Sequence, residues 1–311
     1  MIVDCMVHTY RYPEHFNKEA MLASQPERRK GWPEERWKEM WDRPIEQYFE
    51  VADGVDKAIL AGFSFPNTRA IDQPNEYLYQ TANRYRDKLL WCCTVDPTAA
   101  GAAEEVERCA KMGAVGISEV SPTYGGYFIN DPRCYPVWAK AEELGIPVLV
   151  HAGPVQDTLP KARLIHGDVR LVDEVAMAFP KLKIVILHLG YYYYEDASYI
   201  VQTRENVFAD ISSLTFVVGR DRRAIPRFLP QVEFIYPHFL YPILYFLSQT
   251  IVGVTDKLIW ASDWPAASPR DSLPQILNIN EELKRYNLPQ IPEQITHNIL
   301  HENWKKVFKL E

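Results

Sequence analysis

Short apolar segments alternate with amphipathic segments along the whole chain, and this alternation constrains the fold more than any other feature of the sequence. The apolar segments are rich in β-branched residues and span residues 2–8, 56–62, 89–95, 114–119, 146–151, 183–188, 206–211 and 257–262. Segments between them, such as AAEEVERCAKMG, repeat apolar residues at spacings of three and four, which is the period of a helix packed on one face. Continuously apolar strands that alternate with helices are typical of parallel sheets covered on both faces. Eight such units predict an α/β protein with a closed (βα)8 barrel.

The chain has 311 residues, and closed α/β barrels of about 250 residues are routinely single domains. We therefore expect residues 1–311 to form one barrel domain. Residues 9–43 are much longer than a usual loop and carry Trp32, Trp37 and Trp41 among charged residues. A loop that leaves the carboxyl end of a strand lies over the mouth of the barrel. The segment is interpreted as a lid-like insertion, with a surface helical hairpin as the alternative.

Four of the apolar segments end in a residue that can bind a metal ion or transfer a proton: His8, His151, His188 and Asp263. In a parallel barrel the carboxyl ends of the strands surround one mouth, so we expect these side chains to form one site. Imidazole and carboxylate ligands suit zinc or another divalent first-row ion that keeps a position for water. Asp263 is then the candidate to accept a proton from water or to give one to a substrate.

Other residues at the strand ends are candidates for binding the substrate. Tyr124, Tyr191 and Trp264 follow the fourth, sixth and eighth strands, and aromatic walls suit a planar or ring-containing molecule. Glu119 ends the fourth strand, where its side chain faces either the mouth or the outside. A substrate carboxylate would need a cation, and we consider Arg69, Arg163 and Arg204 without choosing among them.

Composition excludes several classes of partner. A net charge of -7 and the absence of a dense Lys and Arg cluster argue against binding to nucleic acid. The aromatic stretch 234–247 is interrupted by Pro237 and Pro242 and is too short to predict a membrane span. It predicts a buried helix of the barrel or a homodimer surface. The chain contains no G-x-S-x-G elbow and no phosphate-binding glycine motif.

The cysteines and the amino terminus indicate the cell compartment. The five cysteines form no C-x-x-C pair and lie mostly in apolar segments, as reduced core cysteines do. The chain begins directly with a strand-like segment and shows no secretory signal. We therefore expect a cytoplasmic protein whose partner is a small-molecule substrate.

Five segments in this order resemble those of the amidohydrolase-related enzymes: IVDCMVH, GIPVLVHAG, KIVILHLG, DKLIWASDWP and ILHENWKKVFKL. The resemblance covers the whole chain and implies a distorted (βα)8 barrel that binds one divalent ion, zinc or manganese. It assigns metal binding to His8, His151 and Asp263, and substrate binding or proton transfer to His188. The fourth strand lacks the lysine of the two-metal relatives, so the resemblance implies a single ion.

One position departs from the family pattern. Relatives carry an H-x-H pair on the first strand, and this chain has Met6 where the first histidine is expected. A thioether is a poor ligand for zinc or manganese, so the metal is expected to have fewer ligands or weaker binding. Asp4 is expected on the same strand face as Met6, either to orient His8 or as a buried, hydrogen-bonded residue of the barrel floor.

Three functions follow from this sequence. The first is a hydrolase in which metal-bound or Asp263-activated water attacks an amide, lactone or related carbonyl of a cyclic or aromatic molecule, while His188 polarises the carbonyl oxygen. The second is a metal-dependent decarboxylase of an aromatic or unsaturated carboxylic acid. The third is a barrel that binds a ligand without catalysis, because the substitution at Met6 has removed the metal.

Overall fold

A computed structural model of the protein describes residues 1–24, 27–65, 71–153, 163–213, 240–248, 254–285, 287–308 and 310. Within these residues each predicted apolar segment coincides with one strand, and only β4 extends past its segment, by one residue. The strands are β1 Val3–Val7, β2 Lys57–Leu60, β3 Leu89–Trp91, β4 Ile117–Val120, β5 Val148–Val150, β6 Ile184–Ile186, β7 Val207–Asp210 and β8 Leu258–Ile259.

Helices connect the strands and cover them. They are α1 Lys18–Ser24, α2 Glu27–Lys30, α3 Glu34–Trp41, α4 Ile45–Phe49, α5 Asn75–Arg84, α6 Ala102–Lys111, α7 Pro122–Gly125, α8 Tyr135–Leu144, α9 Arg170–Ala178, α10 Tyr194–Thr203, α11 Leu240–Ser248, α12 Pro269–Leu277, α13 Ile279–Arg285, α14 Glu293–His301 and α15 Asn303–Phe308. The amphipathic period explains their packing: on α6, Val106 and Cys109 are buried and the acidic first turn is not.

All strands are parallel, and the barrel closes. Strands β1 to β3 pair in chain order, as do β4 to β8. Isolated parallel bridges join Cys93 to Ile117 and Val7 to Trp264, which links the two sheets at both of their edges. The backbone N–H of His8 donates to the carbonyl of Trp264 at 2.8 Å. The end of β1 therefore lies beside the end of β8, and the predicted closed barrel is confirmed.

The barrel interior is apolar and is sealed at the amino ends of the strands. Its buried cluster combines residues of several strands with one helix: Cys5, Met6, Ile59, Leu149, Ile259 and Trp304. The side chain of Asn303, at the start of α15, donates to the carbonyls of Thr255 and Leu258 at 3.2 and 2.8 Å. Because these carbonyls lie at the beginning of β8, α15 covers the amino-terminal end of the barrel. The opposite end remains available for a site.

The predicted insertion folds into α1, α2 and α3. An antiparallel bridge joins Tyr10 to Arg43, so the insertion leaves and rejoins the barrel at one point. Trp37 is buried with Tyr12 and Met21 in a separate apolar cluster, which gives the insertion a small core of its own. Movement of this insertion as a lid remains a prediction.

The aromatic stretch 234–247 lies within the described residues only from residue 240 onward. There, α11 contacts α10, and Ile243, Phe246 and Leu247 are buried. This packing supports a helix of the outer layer, and the homodimer remains a prediction.

None of the helices in the described ranges is long and apolar enough to cross a membrane.

Asp4 does not lie on the face that the strand period predicts. The pairing of β1 with β2 shifts register between Asp4 and Val7, which breaks the alternation of faces. The Asp4 carboxylate accepts hydrogen bonds from the Ser262 backbone N–H at 2.8 Å and from the Tyr48 hydroxyl at 3.1 Å. Asp4 thus joins β1 to the end of β8 and to α4 and does not orient His8. Burial raises the pKa of Asp4 from 3.8 to about 6.

We predict that Asp4→Ala destabilises the protein by about 3 kcal/mol, because it leaves two buried donors without an acceptor. Asp4→Asn keeps an acceptor oxygen and removes the titration. Since the folded-state pKa exceeds the unfolded value, the wild type loses stability relative to Asp4→Asn as the pH rises from about 4 to about 7, by up to about 3 kcal/mol. Urea unfolding of both proteins across this range measures the difference. A difference that stays constant with pH would contradict this role.

Candidate active site and metal centre

The carboxyl ends of five strands bring imidazole and carboxylate groups together. Glu119 of β4 lies at the centre of the group, with only 4% of its surface exposed. Its Oε1 is 2.7 Å from Nδ1 of His151, which follows β5, and its Oε2 is 3.3 Å from Nε2 of His8, which follows β1. His188 follows β6, and its Nε2 lies 3.2 Å from His151 Nδ1. Asp263 follows β8 and completes the group, with Oδ1 at 3.2 Å from His8 Nε2.

His8 is held between a backbone carbonyl and two carboxylates. Its Nδ1 is 3.1 Å from the carbonyl oxygen of Ala61, which can only accept a hydrogen bond. Its Nε2 faces the oxygens of both Asp263 and Glu119. Burial opposes a charge on the ring, but the hydrogen bonds to the two carboxylates outweigh it and raise the pKa of His8 from 6.5 to about 10. In the absence of a metal ion, His8 is therefore an imidazolium that compensates this negative charge.

Glu119 is ionised although it is buried. Burial alone would raise its pKa, but His151 and His8 interact with both of its oxygens and hold the pKa well below its usual range. A buried carboxylate without such partners would cost several kcal/mol. Because three imidazole rings surround Glu119, its negative charge sets the electrostatic potential of the site.

His188 is bound by groups at the end of β7 and directly after it. Its backbone N–H donates to Asp210 Oδ1 at 2.6 Å, and its Nδ1 lies 2.7 Å from the Ser212 hydroxyl. Burial lowers the pKa of His188 to about 4, so the ring is neutral at physiological pH. Its φ angle of 55° lies in the left-handed region, which is uncommon for a residue with a side chain.

Asp263 also has a strained backbone. Its φ angle is 63°, and its backbone N–H donates to the Met6 carbonyl at 3.1 Å. The hydroxyl of Ser213 donates to its Oδ2. Strained residues of this kind concentrate at functional sites, where the surrounding structure determines their conformation.

Sequence reasoning missed Asp210, Ser212 and Ser213, because two serines after a strand form no recognisable motif.

The donor atoms fit a divalent metal ion. Ligand atoms of Glu119, His151 and His188 all lie within 4.8 Å of one another. His8 and His188 each use their second ring nitrogen for an oxygen outside the group, as metal-binding histidines commonly do. Met6 is fully buried in the apolar interior. A carboxylate from β4 therefore reaches the site where the resemblance predicts a second imidazole from β1.

A cavity of about 600 Å³ extends from these groups to the insertion. Aromatic side chains form much of its wall, and the predicted Tyr124 and Tyr191 are among them: Tyr10, Trp32, Trp41, Phe63, Tyr124 and Tyr191. The insertion also contributes three arginines to the lining, Arg29, Arg36 and Arg43. The guanidinium group of Arg36 lies 4.1 Å from the ring centre of Trp32, and that of Arg29 lies 5.5 Å from it.

Some residues predicted for substrate binding lie elsewhere. Trp264 is 6% exposed and packs edge-on against Tyr48, in the layer between the strands and the helices. The backbone after Asp263 turns this ring away from the mouth, and the next residue, Pro265, lines the cavity instead. Arg204 pairs with Asp173 at 2.7 Å, Arg163 is exposed outside the cavity lining, and Arg69 lies outside the described residues.

The sequence from residue 3 to residue 310 matches the family model for amidohydrolases. The chain belongs to the amidohydrolase family. The match confirms the family that the five segments indicate, and it includes every residue of the site described above.

Similar solved structures include decarboxylases and a hydrolase. A 2,6-dihydroxybenzoate decarboxylase from Rhizobium is 17% identical, with a TM-score of 0.62 and 99% of each chain covered. A 5-carboxyvanillate decarboxylase from Novosphingobium aromaticivorans, complexed with manganese and 4-hydroxy-3-methoxy-5-nitrobenzoic acid, is 17% identical, with a TM-score of 0.60 and coverage of 100% of this chain and 96% of that one. A probable 2-pyrone-4,6-dicarboxylic acid hydrolase from Acinetobacter baumannii, with citric acid bound, is 16% identical, with a TM-score of 0.62 and 99% of each chain covered. At these identities the likeness establishes the shared fold.

We predict that this amidohydrolase loses stability with rising pH when a chelator is present. The folded-state pKa of His8, about 10, lies above its ordinary value of 6.5, so the stabilisation is complete below about pH 6.5 and is lost as the pH rises through about 10. The His8→Gln variant should lack the part of the pH dependence of stability that comes from His8. The difference in unfolding free energy between wild type and His8→Gln, measured by urea unfolding, should therefore fall by several kcal/mol between about pH 7 and about pH 10. A constant difference would mean that His8 is not the imidazolium of the metal-free site.

Proposed function

We propose that this amidohydrolase is a metal-dependent decarboxylase of a small, ring-containing carboxylic acid. The observation that carries the proposal is the buried Glu119 carboxylate at the centre of three histidines, below a cavity that presents aromatic and guanidinium groups. The carboxylate and imidazoles supply hard and borderline ligands for one divalent ion such as manganese or zinc. The aromatic walls and the arginines suit an aromatic acid.

Glu119, His151 and His188 would hold the ion in this proposal. When bound, such an ion supplies positive charge that polarises and orients substrate oxygens. His8 and Asp263 lie beside these ligands, with 3.2 Å between His8 Nε2 and Asp263 Oδ1. The family resemblance instead assigns His8, His151 and Asp263 as the ligands. Both ligand sets contain His151. The first also contains Glu119 and His188, and the second also contains His8 and Asp263, so single variants distinguish them.

The His8 and Asp263 pair supplies the proton that decarboxylation requires. In that reaction the bond between the ring carbon and the carboxylate breaks, the electron pair remains on the ring carbon, and carbon dioxide leaves. A proton must then bond to the ring carbon. Asp263 lines the cavity, its Oδ1 lies 3.2 Å from His8 Nε2, from which it can receive a proton, and Ser213 donates to its Oδ2. We assign Asp263 as the residue that delivers this proton.

The insertion provides recognition of the acid. Arg29, Arg36 and Arg43 line the cavity, and a guanidinium binds a carboxylate through two parallel hydrogen bonds. Trp32 and Trp41 of the insertion line the same cavity. This arrangement favours decarboxylation over the hydrolysis that the sequence alone favours, since every substrate of a decarboxylase carries a carboxylate.

Hydrolysis of a cyclic ester is the second candidate, because Asp263 and the neutral His188 both line the cavity and can accept a proton from water. Isotopes separate the two reactions. Turnover in D2O should place one deuterium on the ring carbon that loses carbon dioxide. Turnover in oxygen-18 water should leave no new oxygen in the product of a decarboxylase and one in the product of a hydrolase. Binding of aromatic acids without any product, with manganese or zinc present, would instead indicate a ligand-binding barrel.

We predict that Glu119→Gln loses metal affinity by at least about tenfold, since the amide removes the negative charge that the three histidines surround. Elemental analysis and manganese titration of the purified protein measure this. Glu39→Gln is the matched control, because Glu39 also lines the cavity but lies in α3, away from the histidines. His8→Gln should retain the ion. Loss of metal in His8→Gln together with full retention in Glu119→Gln would support the ligand set of the resemblance.

We predict that Arg36→Gln raises KM for an aromatic acid by about 10-fold to 100-fold with a smaller change in kcat, as expected for the loss of one charge-assisted contact. Lys38→Gln is the matched control: it removes a positive charge from the same helix, and Lys38 does not line the cavity. An equal change of KM in both variants would mean that only the general charge of the insertion matters.

A further inference from the structure

The hydrogen bonds among Asp210, Ser212 and His188 have one consistent direction. The Ser212 hydroxyl oxygen lies 2.7 Å from Asp210 Oδ1 and 2.7 Å from His188 Nδ1. All three residues are buried, and Asp210 and Ser212 are each 1% exposed. A hydroxyl group carries one hydrogen, so it donates to one neighbour and accepts from the other.

Asp210 is the neighbour that accepts. Its Oδ1 also receives the backbone N–H of His188 at 2.6 Å and that of Ser212 at 3.2 Å. An oxygen that faces these donors has no room for a hydrogen of its own. Its Oδ2 is buried and makes no hydrogen bond among the described residues, so a proton on this carboxyl group would reside there. In either protonation state, Ser212 therefore donates to Oδ1.

We propose that Ser212, oriented by Asp210, fixes His188 in the tautomer that carries its hydrogen on Nδ1. Because the Ser212 hydrogen is used by Asp210, the contact with His188 requires Nδ1–H to donate to the serine oxygen. The Nε2 lone pair of His188 then faces His151 Nδ1 and the Glu119 group. Ser212 is thus a positioning residue that acts through His188.

The tautomer determines what His188 can do. An Nε2 lone pair binds a metal ion or accepts a proton, whereas it cannot donate a hydrogen bond to a substrate oxygen. The neutral His188 is therefore a ligand or a base, and the polarising role expected from the sequence falls to other groups. Only the ligand role rests on the proposed function; the tautomer itself follows from the contacts of the chain.

The neighbouring Ser213 provides a useful contrast. Its hydroxyl donates to Asp263 Oδ2 and makes no contact with His188 that the structure records. Loss of this hydroxyl affects the other side of the site, so Ser213→Ala should leave the His188 tautomer unchanged. Ser272, in α12, is 4% exposed, and its hydroxyl has no hydrogen-bond partner among the described residues. Ser272→Ala is the control for removing a buried hydroxyl far from the site.

The test is nitrogen-15 NMR of chelator-treated protein labelled at histidine, with His188 assigned through His188→Gln. The two ring nitrogens differ strongly in shift when one is protonated and the other is not. We expect a protonated Nδ1 and an unprotonated Nε2 in the wild type, in Ser213→Ala and in Ser272→Ala. Ser212→Ala should show a substantial population of the Nε2–H tautomer. An Nε2–H tautomer in the wild type, or an unchanged Nδ1–H tautomer in Ser212→Ala, would overturn the proposal.

Two further variants separate positioning from charge and from folding. Asp210→Asn keeps the Oδ1 acceptor and places an amide where Oδ2 has no partner, so it should retain the Nδ1–H tautomer. Ser212→Thr restores the hydroxyl and should restore the wild-type spectrum. Manganese affinity should fall by about 10-fold to 100-fold in Ser212→Ala and recover in Ser212→Thr. If the NMR spectra follow this pattern but neither the wild type nor any variant binds a metal, the proposed tautomer is supported and the proposed metal-dependent function fails.

Discussion

The buried charge of Glu119 is the constraint on which the rest of the site depends. An ionised carboxylate removed from water is tolerated only when cations or several hydrogen-bond donors compensate it. Here both of its oxygens contact an imidazole, one from the end of β1 and one from the end of β5. In chain order, β1 precedes β4 and β5 follows it. The pairing therefore exists only when the barrel is closed, which couples the electrostatics of the site to the complete fold.

Barrel closure also fixes the strained backbone around the mouth. His188, Ser213 and Asp263 all have φ angles between 54° and 63°, and a left-handed conformation costs about 1 kcal/mol for each residue with a side chain. Backbone hydrogen bonds to Asp210 and Met6 hold His188 and Asp263 in place. Because these partners belong to β7 and β1, the strain is sustained by neighbouring strands. The strands themselves therefore hold the backbone of His188 and Asp263 at the mouth.

The strand ends could be predicted from the sequence because a parallel barrel gathers the residues that follow its strands. His8, His151, His188 and Asp263 converge for this reason. The orientation of side chains within a strand was less predictable, since alternation fails wherever the register shifts. Such shifts occur between Asp4 and Val7 and between Ile117 and Val120, and they affect the positions of Asp4 and Glu119. The direction of Trp264 and the choice of arginines depend on tertiary packing, for which the local sequence holds no signal.

Met6 lies in the apolar interior, and the ionisable groups that face His8 are the carboxylates of Glu119 and Asp263. A site with several imidazoles and one aspartate would leave a bound dication with a net positive charge. Glu119 adds a second carboxylate near Asp263, and each ionised carboxylate offsets one positive charge of a bound dication. More carboxylate character favours a hard ion such as manganese over zinc. It also weakens the acidification of bound water, on which metal-assisted hydrolysis depends. In the proposed decarboxylase, the ion held by these groups would orient the anionic acid, the arginines of the insertion would bind its charge, and Asp263 would deliver the proton.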